Sequence, residues 1–324
     1  MHTYKELQEK VQQLFSSENF IGTPPRLYEP IDYTLSLGGK RIRPVLLLAA
    51  TDLFDGDLDT VSNAAIGIET FHNFTLLHDD LMDKSPIRRG KDTVYRKWDE
   101  NTAILSGDAM NILAWRYFLK QPHENLHQIL CTFEKTSMEI CEGQQYDMDF
   151  EKNDNVSIID YMEMIRLKTA VLIAGALKIG ALYANADNND IEHLYRFGIS
   201  IGLAFQLRDD LLDVYGDPAV FGKAIGGDIT SNKKTYMLIN AFNRANPTQL
   251  GELKRWVEAT QFDREEKVRA VTGIYDEIGI RQLCEQKINY YFDECRKCLA
   301  QVSVSADRKQ MLLDYTDEMM TRRK

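Results

Sequence analysis

Six aspartates fall in two short stretches, LLHDDLMD at residues 76–83 and FQLRDDLLD at residues 205–213, which share the pattern Leu-x-Asp-Asp-Leu-x-Asp about 130 residues apart. Both sit in apolar frames with helical spacing. Helix residues four apart share a face and lie about 6 Å apart along the axis, so Asp79 with Asp83, and Asp209 with Asp213, aim paired oxygens at one place. Like charges so placed repel by about 0.2–0.5 kcal/mol. Phe74, Leu77 and Leu81 around the first turn, and Phe205, Leu207, Leu211 and Leu212 around the second, raise the cost by shielding the carboxylates from water. A lone acidic turn is most simply a solvated helix face; two copies ask for positive charge. Oxygen-only donors suit a hard divalent cation, and magnesium keeps positions open for phosphate oxygens.

Basic residues stand in the loops beside these turns: Lys40, Arg41 and Arg43 in GGKRIRP, Arg88 and Arg89 in SPIRRG, Lys223 in FGKAIGGD, and Lys233 and Lys234 in SNKKT. Each cluster alone is ordinary surface charge. With two carboxylate turns, the set suits two diphosphates, whose oxygens match guanidinium forks and lysine points.

The elements that must position these groups are helices. Apolar residues recur at helical spacing, mostly three or four apart, as in Ile66, Phe71, Phe74, Leu77 and Leu81, or Leu194, Phe197, Ile201, Phe205 and Leu212. Strand-like alternation bounded by hairpin turns is hardly visible. The eight prolines leave residues 123–217 and 248–324 proline-free, which suits long helices. The expectation is an all-α fold of roughly a dozen helices. Loop signals at 23–25, 37–40, 85–93, 150–155 and 215–228 are too short for an interdomain linker, so residues 1–324 read as one domain.

A net charge of −10 argues against a broad nucleic-acid surface. No run approaches the ~20 apolar residues of a membrane span, and MHTYKELQEKVQQLF lacks the apolar core of a signal peptide. A cytoplasmic protein is expected, with Cys131, Cys141, Cys284, Cys295 and Cys298 as reduced thiols.

Read in order, GGKRIRP, HNFTLLHDDLMDKSPIRRG, SGDA (106–109), EGQQYD (142–147), RLKTA (166–170), FQLRDDLLD and GGDITSNKKT resemble the trans-polyprenyl diphosphate synthase family of isoprenoid chain elongators. The resemblance spans residues 38–235 and implies helices around a deep central cavity, the two aspartate turns facing across its mouth, and a homodimer. It implies Mg2+, as three ions, held by Asp79, Asp80, Asp83, Asp209 and Asp213, with Asp79, Asp83 and Asp209 as direct ligands and Asp210 completing the set. Arg88, Lys168, Lys233 and Lys223 would grip an allylic diphosphate of C5, C10 or C15 length. Lys40, Arg43, His72 and Arg89 would hold isopentenyl diphosphate, and Thr169 and Gln206 would face the allylic cation. Gln144 and Asp147, three apart, could orient a lysine or a metal-bound water. The chain departs from the family pattern at Lys84, Tyr95, Asn232, Lys234 and Tyr236, which puts loop closure and affinity in question.

Product length should depend on what blocks the cavity below the first turn. Phe74, about 7.5 Å before Asp79 on a helix, is the candidate floor. Thr75 leaves more room than a second aromatic would, which favours C20 slightly over C15; Phe71, Trp115 and Phe118 are further candidates, the last two better read as core. Two alternatives remain. A class I terpene cyclase shares a DDxxD but has little use for GGKRIRP, and a non-catalytic subunit of a heteromeric synthase would be expected to lose aspartates.

Overall fold

The computed structural model describes residues 1–217 and 225–321, and the regular structure of the described residues is helical apart from one short two-stranded hairpin. Helix starts follow local capping chemistry. Thr3 and Glu6 form a capping box for α1 (Tyr4–Ser17), Asp99 caps α6 (Glu100–Leu119), and Ser157 with Asp160 forms a second box for α8 (Ile158–Ile165); such side chains satisfy otherwise orphaned amides. The long helices α7 (Leu126–Glu151, 26 residues) and α10 (Asn188–Tyr215, 28 residues) occupy the proline-free run 123–217.

Contacts divide the chain into two compact units. The first comprises Met1–Glu134, Gly175–Leu194 and Ser303–Leu312. Within it lie α1, α2 (Pro25–Ser36), α3 (Ile42–Leu53), α4 (Ser62–Met82), the single turn α5 (Val94–Lys97) and α6. Its core gathers Phe20, Ile31, Leu35, Ile66, Leu77, Val94, Met110 and Tyr117. Helices α4 and α6 pack closely because Gly107, from the SGDA stretch, makes room for His78: a β-carbon there would come within 2.2 Å of the imidazole. His78 Nε2 also lies 3.1 Å from the Ile104 carbonyl, so this histidine packs towards α6.

The second unit comprises Lys135–Ala174, Tyr195–Val302 and Leu313–Lys324. It holds α8, the π-helical turn Arg166–Ala170 that leads into α9 (Val171–Tyr183), and the greater part of α10. Beyond them come the short α11 (Gly227–Thr230), α12 (Tyr236–Arg244), α13 (Pro247–Glu258), α14 (Arg264–Ile278) and α15 (Ile280–Gln301), and the C-terminal part of α16 (Ala306–Thr321). Here α10 meets Ala174 and Ala170 through Gly198 and Gly202, where added β-carbons would sit 2.4 and 2.5 Å from the alanine Cα atoms. At the same spacing of four, that face of α10 goes on to carry Gln206 and Asp210. In the same way Gly143 abuts the Lys168 amide, at 2.4 Å from a built β-carbon, and Asp147 lies one turn further on.

One expectation needs correction. The stretch SPIRRGKDT, read as loop, contains an antiparallel hairpin that pairs Ile87 with Asp92 and Arg88 with Lys91. Its turn residues Arg89 and Gly90 have φ of 52° and 75°, the left-handed geometry of tight hairpin turns. No Asn-Gly or Asp-Gly announces it, because here an arginine occupies the first left-handed position.

Candidate active site

The first acidic turn ends α4. Its middle residue Asp80 is buried and accepts from Arg88 Nε at 2.6 Å; burial pushes its pKa up, although Arg88 opposes the shift. Arg88 Nη2 also stands 3.8 Å from Asp79 Oδ2. Asp79 is half-buried and Asp83, the helix C-cap, is exposed. Lys84 follows at φ 53°, its ammonium 2.8 Å from Glu100 and 5.8 Å from the Tyr95 ring. These two departures from the family pattern therefore lie beside each other.

His72 lies on the same helix, and Arg43 Nη1 donates to its Nε2 at 3.0 Å. Burial, then Arg43, Arg89, Arg88 and Arg41, hold its pKa well below the usual histidine value. The ring is therefore neutral, and with Nε2 accepting, its proton sits on Nδ1, where it can donate to an anion. Arg89 reaches the Gly38 carbonyl and, at 3.5 Å, Asn73 Oδ1. Lys40 is exposed in the loop that precedes α3.

Sequence reasoning missed the layer beneath. Arg41 is buried at φ 49° and donates to Glu69 Oε1 at 2.9 Å and to the Leu35 carbonyl. Asn73 Nδ2 donates to the Glu69 carbonyl at 2.8 Å and to its Oε1 at 3.1 Å. Arg41, Glu69 and Asn73 thus form a buried chain of polar contacts that ends at Arg89. The helical spacing of Glu69 and Asn73 was a usable signal, since two polar residues interrupt an otherwise apolar face.

The second acidic turn lies within α10, and again the middle carboxylate is the buried one. Asp210 accepts from the Tyr161 hydroxyl through Oδ2 and from Gln206 Nε2 through Oδ1 at 2.9 Å. Thr169, in the π-helical turn, donates to Gln206 Oε1 at 3.0 Å, a side-chain bond in place of a bond to its own helix backbone. Such widened turns are frequent at functional sites. Lys168 Nζ donates to Asp147 Oδ2 at 2.6 Å. Burial alone would raise the Asp147 pKa, but Lys233 and Lys168 outweigh it and hold it down.

Asp213 Oδ2 accepts from the Asp228 amide at 2.8 Å. Sequence reading passed over Tyr161 and Asp228. No spacing signals Tyr161, 49 positions from its partner, whereas Asp228 stands in the quoted stretch GGDITSNKKT. Lys223 and the C-terminal Arg322, Arg323 and Lys324 lie outside the described residues.

Among the described residues no three His, Cys, Asp or Glu side chains are gathered into a ready cation cage. The donor chemistry nevertheless fits a divalent ion. Burial, followed by Asp210 among its charged neighbours, drives the Asp228 pKa far above the carboxylate range, and Asp213 and Asp209 add to the shift. Burial likewise raises Asp210, against Lys233. Two carboxylates raised by burial, Asp210 and Asp228, with Asp209 and Asp213 beside them, make an oxygen-rich, negatively charged setting of the kind hard cations occupy.

Comparison with known proteins agrees with this geometry. Residues 24–275 match the sequence model of the Polyprenyl synthetase family. The chain is 38% identical over 301 residues to a geranylgeranyl diphosphate synthase of Methanosarcina mazei, covering 92% of this chain and 90% of that one. It is 40% identical over 254 residues to a geranylfarnesyl diphosphate synthase of Natronomonas pharaonis, covering 73% and 74%. A crystal structure of a geranylgeranyl pyrophosphate synthase superposes over 100% of both chains with a TM-score of 0.95 and 41% identity. No helix among the described residues is long and apolar enough to cross a membrane. With the motifs in order and the whole helical architecture shared, this chain belongs to the polyprenyl synthetase family and is a prenyl diphosphate synthase.

Proposed function

We propose that the chain condenses isopentenyl diphosphate head-to-tail with an allylic diphosphate, in the presence of Mg2+, to give an all-trans product of C20, with C25 the neighbouring outcome. The observation that carries this reading is the pairing of two aspartate turns with a separate cationic set of Arg43, neutral His72 and Arg89. An enzyme that only ionised one diphosphate would not need the second set, which disfavours a cyclase. All six aspartates are present, which disfavours a silent subunit.

Asp79, Asp83, Asp209 and Asp213, with Asp80 and Asp210 behind them, would hold Mg2+, which when bound supplies Lewis-acid stabilisation of the leaving diphosphate. Arg88, Lys168 and Lys233 add fixed positive charge to that leaving group, and so favour ionisation of its carbon–oxygen bond. Lys40, Arg43, His72 and Arg89 orient isopentenyl diphosphate so that its double bond meets the allylic cation. The Thr169 hydroxyl, tied to Gln206 Oε1, offers an oxygen dipole that stabilises the cation without trapping it. Attack leaves a tertiary carbocation, the adjoining carbon gives up a proton to the released diphosphate as the new double bond forms, and no protein nucleophile is required. Incubating the purified chain with Mg2+, isopentenyl diphosphate and C5, C10 or C15 primers tests the reading. Isopentenyl-dependent C20 or C25 product is expected; hydrocarbon from farnesyl diphosphate alone would point to a cyclase, and no turnover with any primer to a scaffold.

The length reading rests on Phe74, whose ring centre lies 5.4 Å from that of Phe71, in a tilted pair, and 4.8 Å from that of His78, edge to face. The C15 alternative finds no support, as the named relatives are geranylgeranyl and geranylfarnesyl synthases. Beneath Phe74, Phe71 packs on Phe133 at 5.1 Å, and Phe133 is flanked by Trp115 at 4.7 Å and Phe118 at 4.4 Å. Phe74→Ala is expected to lengthen the main product by about one isoprene unit, because Phe71 stands only about 4.5 Å deeper along the helix. Chromatography that showed unchanged products would remove Phe74 as the floor.

A homodimer is the proposed assembly. Leu105, Ile112 and Leu119 recur every seven residues along α6 and are 60%, 63% and 58% exposed, a contiguous apolar face of the kind interfaces cover. Ile112→Asp is expected to shift sedimentation from dimer to monomer; a wild-type monomer at micromolar concentration would reject the assembly.

A further inference from the structure

The first turns of α14 grip the segment that carries Asp228 and Lys233. Three residues at i, i+3 and i+4 share one helix face. Arg264 Nη2 donates to the Ile225 carbonyl at 2.7 Å. Lys267 Nζ donates to Asn232 Oδ1, also at 2.7 Å. Val268 closes on Gly226, where an added β-carbon would come 2.5 Å from its Cγ2.

Lys267 has no exposed surface, and its ammonium lies 4.1 Å from the centre of the Phe262 ring. Burying an ammonium is costly, and a methionine or leucine would fill the same space without that cost. What the charge adds is its hold on Asn232. That asparagine has φ 55°, in the left-handed region, and its Nδ2 donates to the Val257 carbonyl at 3.0 Å. Immediately after it, the Lys233 amide donates to the Asp228 carbonyl at 2.9 Å, and the Thr235 amide to the Lys233 carbonyl at 2.8 Å. The conformation of Asn232 therefore sets where Lys233 leaves the backbone relative to Asp228 and Asp213.

We propose that Lys267 is a positioning residue for Lys233: it locks the left-handed Asn232 turn and so aims the Lys233 ammonium at the allylic diphosphate. This rests on the reading of Lys233 given above. A charge-assisted hydrogen bond at a buried site is worth enough to change affinity about tenfold. In Lys267→Met, which keeps the apolar stem, the KM for the allylic diphosphate is expected to rise about tenfold, while kcat and the KM for isopentenyl diphosphate stay within about twofold. Lys267→Arg retains a donor and should recover part of the loss. Asn232→Gly keeps the left-handed turn accessible but removes the acceptor, so adding Lys267→Met to it should cost little more.

Hydrogen exchange supplies a readout that needs no activity: amides in the peptide 228–235 should exchange faster in Lys267→Met than in the parent. An inactive parent chain would overturn the synthase reading without touching this measurement. Unchanged exchange in that peptide, an equal rise in both KM values, or additive losses in the double variant would overturn the role of Lys267.

Discussion

Asp79→Asn is expected to lower kcat about 10³-fold while leaving the melting temperature nearly unchanged, since Lewis-acid stabilisation supplies several kcal/mol and each tenfold in rate corresponds to about 1.4 kcal/mol. Asparagine keeps the shape and removes the charge, at a side chain 21% exposed that stands 3.8 Å from Arg88. The contrast with its neighbour is the discriminating part. Asp80 is 7% exposed and bonded to Arg88 Nε at 2.6 Å, so Asp80→Asn should lower stability as well as rate. Steady-state kinetics over a Mg2+ titration, paired with thermal denaturation, measures both. If the two acidic turns serve one reaction, Asp79→Asn combined with Asp209→Asn should lose far less than the product of the single losses, as groups acting as a unit do. Asp79→Asn within tenfold of the parent would exclude Asp79 as a ligand.

What the sequence shows and what it hides differ for a physical reason. The outer aspartates of each turn were legible because two copies of one spacing are hard to explain as solvated surface. That the middle aspartate of each turn is the buried one was not legible. Asp80 and Asp210 are buried against Arg88 and Tyr161, and burial depends on what packs over a helix face from distant parts of the chain. The π-helical turn at Arg166–Ala170 was equally hidden, since one extra residue per turn leaves no mark in composition. Helix type and extent were readable from periodicity and proline spacing. The hairpin at Ile87–Asp92 was not, because its left-handed positions fall on Arg89 and Gly90 and not on an asparagine pair. The departure at Asn232 makes the same point. Read as a break in a motif, it put loop closure and affinity in question; in the structure an asparagine, whose side chain tolerates left-handed φ, holds the turn and is held by Lys267.

The largest stability effect is expected where the motif GGKRIRP was read only as substrate-binding charge. Arg41, in its centre, is 4% exposed and paired with Glu69, which is 2% exposed, at 2.9 Å, and its guanidinium lies 4.3 Å over the Phe15 ring. Replacing a buried pair by apolar groups is often neutral, but removing one partner strands the other, at a cost of about 3–5 kcal/mol. Arg41→Ala should therefore lower the unfolding free energy by about that amount, measured by urea denaturation. Adding Glu69→Gln should return part of the loss, because a neutral amide is cheaper to bury than an unpaired carboxylate. The functional consequence separates this residue from its neighbours in the motif. Asn73 bonds Glu69 and also stands 3.5 Å from Arg89, so Arg41→Ala should raise the KM for isopentenyl diphosphate through a misplaced Arg89, and the Glu69→Gln addition should restore stability more than affinity. A fully stable Arg41→Ala with a raised KM would instead mean that Arg41 touches substrate itself, and that the buried chain beneath Arg89 is dispensable.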